Sequence, residues 1–240
     1  MIQMTCKCSA KSTKPCTRSP SGSGGGGGAA LEYVANTLHS WPFNGDANDA
    51  DGGQDLTNVN GITYTTGHNG QAASFDDTNR RFESPTDWTR DAGLATKGAV
   101  GFWAKQNAGD DTHVLNDILG GGATTGPHVR LYQPAGRCYL FLDSSNYYYF
   151  DTAATTDWVH WVVRWDCLGG TSQIFRNGVA VTMLGSPTIP ASFSLGLGKM
   201  IVGNWQGAHS HLNGLLDGLR IVSDITNDGV AEWYTAEGGV

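Results

Sequence analysis

Trp158-Val159-His160-Trp161-Val162-Val163-Arg164-Trp165 is the stretch on which the fold turns. In an extended chain Val159, Trp161, Val163 and Trp165 share one face, while His160 and Arg164 share the other. A period of two marks a strand with one side in a core, whereas a helix would scatter these residues around its axis. Trp161 is therefore expected at the centre of that core. Residues 170–175 read as the hairpin partner of this strand. The chain then turns again at Asn177-Gly178, a dipeptide that accepts the positive φ angles of a tight hairpin. Working outward, 99–104, 129–132, 138–142, 199–202 and 215–222 read as further strands. Helix is expected only as short turns, one of them near 231–234.

The composition agrees. Thirty-four Gly and eight Trp beside 15% charged residues describe short strands joined by tight turns, not helices rich in Glu, Lys and Leu. Turn signals recur about every ten residues, among them Asn44-Gly45-Asp46, Asn60-Gly61, Asn69-Gly70, Asn177-Gly178 and Asn213-Gly214. That spacing is typical of a sandwich or barrel. The chain divides into a basic arm (1–18), a Gly/Ser linker (19–30) and one large all-β domain (31–240). The linker, SPSGSGGGGGAA, has almost nothing to bury and loses much entropy if ordered, so the arm is expected to be disordered or extended.

The net charge is −7, yet the arm holds Lys7, Lys11, Lys14 and Arg18 and no acid, which leaves −11 on the remaining residues. A body that acidic repels phosphate, so nucleic acid is not an expected partner. No run approaches the roughly 18 apolar residues that span a bilayer, so membrane insertion is not expected. Met1-Ile2-Gln3-Met4-Thr5-Cys6-Lys7-Cys8 lacks the apolar run of a secretory signal, and a route other than that signal is expected for display outside a cell. Cys6, Cys8 and Cys16 lie in the arm, where three readings stand: idle thiols, cross-links between copies, or a zinc site completed by a fourth ligand. Cys138 and Cys167 fall on expected strands, as ordinary buried thiols.

Four blocks together resemble the laminin-G-like jelly-roll domains of the concanavalin-A-like lectin/glucanase superfamily. They are Trp41-Pro42-Phe43-Asn44-Gly45-Asp46 running on to Gly52; Gly70-Gln71-Ala72-Ala73-Ser74-Phe75-Asp76 with the later Val100-Gly101-Phe102-Trp103-Ala104; Trp158-Val159-His160-Trp161-Val162 leading to Phe175-Arg176-Asn177-Gly178-Val179; and Gly214-Leu215-Leu216-Asp217-Gly218-Leu219-Arg220-Ile221. The resemblance implies a two-sheet antiparallel jelly-roll sandwich. It leaves the function open, because this architecture hosts lectins, adhesion modules, hydrolases and virion proteins alike.

Asp46, Asn48, Asp49 and Asp51 crowd one expected loop, and oxygen ligands at that density suit Ca²⁺. The resemblance adds Asp217, which it places beside the opening loop, so Asp46, Asp49, Asp51 and Asp217 are the candidate calcium ligands. The same residues also form turns by bonding their own backbone. Polysaccharide-cleaving relatives carry Glu-x-Asp-x-Glu on a strand; this chain has four Glu, and none sits two residues from an Asp in an expected strand. Nor is there a Gly-x-Ser-x-Gly elbow, so no catalysis is expected. Tyr147 and Tyr149 would share the outward face of a strand and could stack on a sugar, while Tyr148 and Phe150 would enter the core. Trp205, His209 and His211 are further ligand candidates; the two His could bind a metal or simply line a polar loop. These features lead to the expectation of a non-catalytic attachment module displayed on a virion, as a capsid decoration or tail/fibre protein, or on a cell surface as an adhesin. Its arm would hold it to a protein scaffold or to other copies of itself. The alternative is a soluble carbohydrate-binding module.

Overall fold

The computed structural model describes residues 30–239, apart from 77, 86–90, 108–110, 117, 119–124, 133–136, 144–145, 152–154, 186–187, 197 and 205–210. The arm, with Cys6, Cys8 and Cys16, and nearly all of the linker lie outside the described residues, as do Trp205 and His209.

A short helix, α1 (Glu32–Asn36), leads into β1 (Thr37–Trp41). Then follow β2 (Thr57–Val59), β3 (Thr63–Thr66), β4 (Gln71–Asp76), β5 (Arg81–Glu83) and β6 (Lys97–Gln106). The middle of the chain forms β7 (Asp111–Asn116), β8 (Thr125–Tyr132), β9 (Arg137–Asp143) and β10 (Tyr147–Asp151). After these come β11 (Val159–Asp166), β12 (Thr171–Arg176), β13 (Val179–Ala180), β14 (Ile201–Val202), β15 (Asn213–Val222) and helix α2 (Asn227–Ala236). The first sheet runs β13-β12-β11-β6-β15-β4-β3 with β1 also on β15; the second runs β10-β9-β8-β7-β14-β5-β2. Pairing is antiparallel throughout the described strands, and the expected sandwich is what forms.

The stretch that opened the sequence reading becomes β11, held between β6 and β12 with Trp161 opposite Phe102. Val159, Trp161, Val163 and Trp165 enter the main core between the sheets, where Trp41, Phe43, Phe82 and Phe102 are fully buried. Cys138 and Cys167 are buried and unbridged.

Helix exceeds the expected short turns. Thr226 caps α2 by accepting the Gly229 N–H at 3.1 Å, which satisfies a backbone donor that the first turn leaves open. Val230 and Trp233, three residues apart, then bury on the outer side of the first sheet. There they meet Tyr33, Ala99, Val162, Phe175, Val222 and Ile225 in a second, smaller core. Tyr33 stacks on Trp233 with ring centroids 5.3 Å apart. Gly101 permits this close approach, since a Cβ there would lie 2.3 Å from the Trp233 ring. The His160 side of β11 is thus covered by protein.

Candidate functional site

Each candidate calcium ligand accepts hydrogen bonds from the protein itself, Asp49 and Asp51 both from Ser40. Asp49 is a buried turn organiser: its Oδ1 accepts the N–H groups of Ser40 (2.9 Å), Asp51 (3.1 Å) and Gly52 (3.0 Å). Its Oδ2 accepts the Gln54 N–H (3.0 Å) and lies 2.6 Å from His39 Nδ1. Burial alone would raise this carboxyl, but the His39 bond and the backbone donors outweigh it and hold Asp49 well below the usual carboxylate range. Asp46 binds the Asn48 backbone and side chain. Asp51 accepts the Ser40 hydroxyl at 2.5 Å and lies 3.8 Å from Arg220. Asp217 accepts the Asn69 N–H at 2.9 Å. Among the described residues, no three His, Cys, Asp or Glu side chains, Asp46, Asp49, Asp51 and Asp217 included, group in a way that could hold a metal. Asp46 and Asp49 accept N–H groups of the loop itself, as turn formers do, while Asp49 also accepts the Ser40 N–H of β1 and Asp51 the Ser40 hydroxyl.

The aromatic run behaves as its alternation predicts. Tyr148 and Phe150 pack against the main core, while Tyr147, 39% exposed, and Tyr149 point the other way. Register adds two rings that the sequence reading missed. Tyr147 lies directly opposite Phe141, and Tyr149 opposite Tyr139, because Cys138, Leu140 and Leu142 of β9 take the core side. The period of two in β9 was the available signal, but nothing in the sequence states which strand pairs with which.

The four rings form one surface. Centroids lie 5.6 Å apart for Tyr139–Phe141, 5.7 Å for Tyr139–Tyr149, 5.1 Å for Phe141–Tyr147 and 6.2 Å for Tyr147–Tyr149. Arg137 lies over the Tyr149 ring at 5.1 Å and forms an ion pair with Asp151 opposite it across the strands. Arg130 lies 5.6 Å from the Tyr139 ring. The two described α-helices pack on the first sheet, so this surface belongs to the sheet that no described α-helix covers. Large half-exposed rings edged by a guanidinium and a carboxylate can take the apolar face of a ligand while hydrogen bonding its rim. Of the other ligand candidates, His211 is half-buried just before β15, away from this surface in the chain's order of strands.

A profile described as the concanavalin A-like lectin/glucanases superfamily matches residues 84–228, more than half of the chain. The chain belongs to this superfamily. No curated protein sequence matches it. Among solved structures, this superfamily member is similar to domain 4 of the extracellular arabinanase AbnA from Geobacillus stearothermophilus, solved in complex with arabinotriose. The identity is 21% and the TM-score 0.61, over 82% of this chain and 97% of that one. It is also similar to the binding domain of botulinum neurotoxin serotype D (13% identity, TM-score 0.66, 84% of this chain and 52% of that one). A third likeness is to the binding domain of Paraclostridial Mosquitocidal Protein 1 (12% identity, TM-score 0.63, 85% and 53%). The chain spans about half the length of the two toxin domains. At these identities the likeness establishes the jelly-roll fold.

Proposed function

We propose that this superfamily member is a non-catalytic glycan-recognition and attachment module, with the outer face of β9 and β10 as its contact surface. The observation that carries the reading is the alignment of Tyr139, Phe141, Tyr147 and Tyr149 on the sheet face that no described helix covers. A contiguous patch of half-exposed rings is the kind of surface that another molecule covers. Sugar rings present flat apolar faces edged by hydroxyls, and this surface offers rings edged by Arg137 and Asp151. The arabinanase domain solved with arabinotriose supports glycan as the ligand class. In this reading the arm, through Cys6, Cys8 and Cys16, holds the module to a scaffold at a virion or cell surface.

The test is binding of the full chain to a glycan array and to insoluble polysaccharides, beside the Tyr147→Ala/Tyr149→Ala variant. Discrete ligands whose affinity falls tenfold or more in the variant, about 1.4 kcal/mol, support the proposal. An array without ligands, or equal binding by both proteins, overturns it.

A further inference from the structure

A second feature lies on the helix-covered side of the sandwich, where the first sheet changes partners. Along one edge, β15 pairs with β4 from Asn213 to Leu216 and with β1 from Leu219 to Val222. Asp217 and Gly218 fall in the gap between those two strands. On the other edge the register against β6 slips at the same place, between Asp217 and Arg220, and Gly218 takes a φ of +60°. Bulges of this kind re-aim side chains and recur beside binding sites. Here the result is that Asp217 and Arg220 both face away from the core that holds Leu216 and Leu219. A cleft of about 60 Å³ opens at the gap, lined by Asp217, Arg220, Glu237, Asn44, Asn69 and Trp103 among others.

The cleft is held open by its own bonds. Asp217 is 2% exposed, and Gly67 makes room for it, since a Cβ there would lie 2.6 Å from Asp217 Oδ2. Burial pushes this carboxyl up, against the Asn69 and His68 N–H groups that pull it down. Glu237, past the end of α2, accepts the Trp103 indole N–H and the Arg220 Nε–H, each at 3.0 Å, and its backbone carbonyl lies 3.1 Å from His68 Nε2. Asn44 accepts the Gln71 N–H through Oδ1 at 2.7 Å, which leaves its NH₂ as a donor.

We infer that this cleft is a second glycan site, which takes the hydroxyl-bearing edge of a single sugar, bound by hydrogen bonds to Asp217, Asn44, Asn69 and Arg220. The inference rests on the glycan reading above and assigns it a separate place. The polar groups select the ligand class. A metal ion needs acceptors alone and an anion donors alone, whereas an apolar group would leave the carboxylate's remaining lone pairs and the Asn44 NH₂ without partners. Adjacent hydroxyls, each both donor and acceptor, match a carboxylate set beside amide and guanidinium donors. The volume suits roughly four ordered waters or the hydroxyls that replace them. Trp103 cannot stack on this ligand, because His68 covers its ring at 3.5 Å and Tyr234 stacks at 5.6 Å. The cleft therefore recognises an edge or chain end, while the tyrosine face on the other sheet recognises the flat side of a chain.

Titration of the full chain with D-glucose, D-galactose, D-mannose and L-arabinose, each to about 50 mM, followed by backbone and indole NMR, tests this. One sugar should saturably shift the Asn69 and Gly218 amides and the Trp103 indole N–H. Asp217→Asn should weaken it at least tenfold and Asn69→Ala, at the exposed rim, severalfold; Tyr147→Ala/Tyr149→Ala should leave it unchanged. No saturation by any of the four sugars, saturation indifferent to both cleft variants, or the same shifts with calcium chloride alone overturns the inference. Loss of polysaccharide binding only in the tyrosine variant, with no sugar in the cleft, removes the cleft and keeps the face. The opposite pattern removes the face and keeps the cleft.

Discussion

The two sheets bury the same kind of inner face and treat their outer faces in opposite ways. On the first sheet most of the outer face is covered: α1 and α2 bring Tyr33, Val230 and Trp233 onto it, and His160, Trp103 and Tyr234 pack against one another beneath Glu237. On the second sheet Tyr139, Phe141, Tyr147 and Tyr149 are left without a described helix over them. Aromatic side chains thus serve two ends in one domain. Where the helices cover them they stabilise the domain, and on the face that no described helix covers they are presented outward.

Truncation of a ring should separate the two faces most sharply. Trp233→Ala, which empties a fully buried site, is expected to cost about 3–5 kcal/mol in denaturant unfolding. Tyr147→Ala and Tyr149→Ala should each cost under about 1 kcal/mol, as changes on an uncovered surface do. Similar costs at both places would break the comparison. Next in size is Gly101→Ala, whose added methyl meets Trp233; it should cost about 1–3 kcal/mol through overpacking, and Trp233→Ala in the same chain should relieve most of that.

Acid should also act on the covered face first. Burial, and then the neighbouring His68, push His160 down to about 3, so it stays neutral when folded and takes up a proton when unfolded. Its ring nitrogens are buried and have no hydrogen-bond partner. Around it stand His68, Glu237, Tyr234, Trp103 and Trp233, and its backbone N–H donates to the Asn177 side chain. A folded pKa below the unfolded one, for a group that is cationic when protonated, means that stability falls as pH drops below 6.5, by up to about 1.4 kcal/mol per pH unit until pH 3. Asp49 acts lower on the scale: its depressed carboxyl contributes stability above about pH 4 that is lost as pH falls further. Urea unfolding from pH 8 to 3.5 should show the first loss in the wild type and a flatter curve in His160→Phe. An unchanged slope in that variant would move the acid sensitivity elsewhere. The smallest effect concerns the metal. With Asp49 committed to four backbone N–H groups and Asp51 to the Ser40 hydroxyl, the domain should melt within about one degree in calcium and in chelator, and a larger shift would place a metal at the opening loop.

Much of this was legible in the sequence, and the limits have physical causes. The alternation in 158–165 located β11 and the buried side of Trp161, and that in 147–150 separated Tyr147 and Tyr149 from Tyr148 and Phe150, because a strand's two faces are written into neighbouring residues. Strand order is not local. The pairing of β10 with β9, which adds Tyr139 and Phe141 to the face, comes from long-range packing, as does the gap that exposes Asp217. The alternation of 158–165 says nothing of what covers the face with His160 and Arg164; α2 supplies that cover from some seventy residues away. For the acidic loop, composition could not separate ligand from turn former, since both need closely spaced oxygens; the distances to Ser40, Gly52 and Gln54 decide where those of Asp49 go.

The most direct test of the central claim is the quantitative affinity of the full chain for its best array glycan, measured in parallel for Tyr147→Ala/Tyr149→Ala and for a control at an exposed apolar residue on the other side of the sandwich, Val179→Ala. The account predicts at least a tenfold loss in the tyrosine variant, with melting temperature nearly unchanged, and no loss in the control. Equal affinity in all three proteins would contradict it.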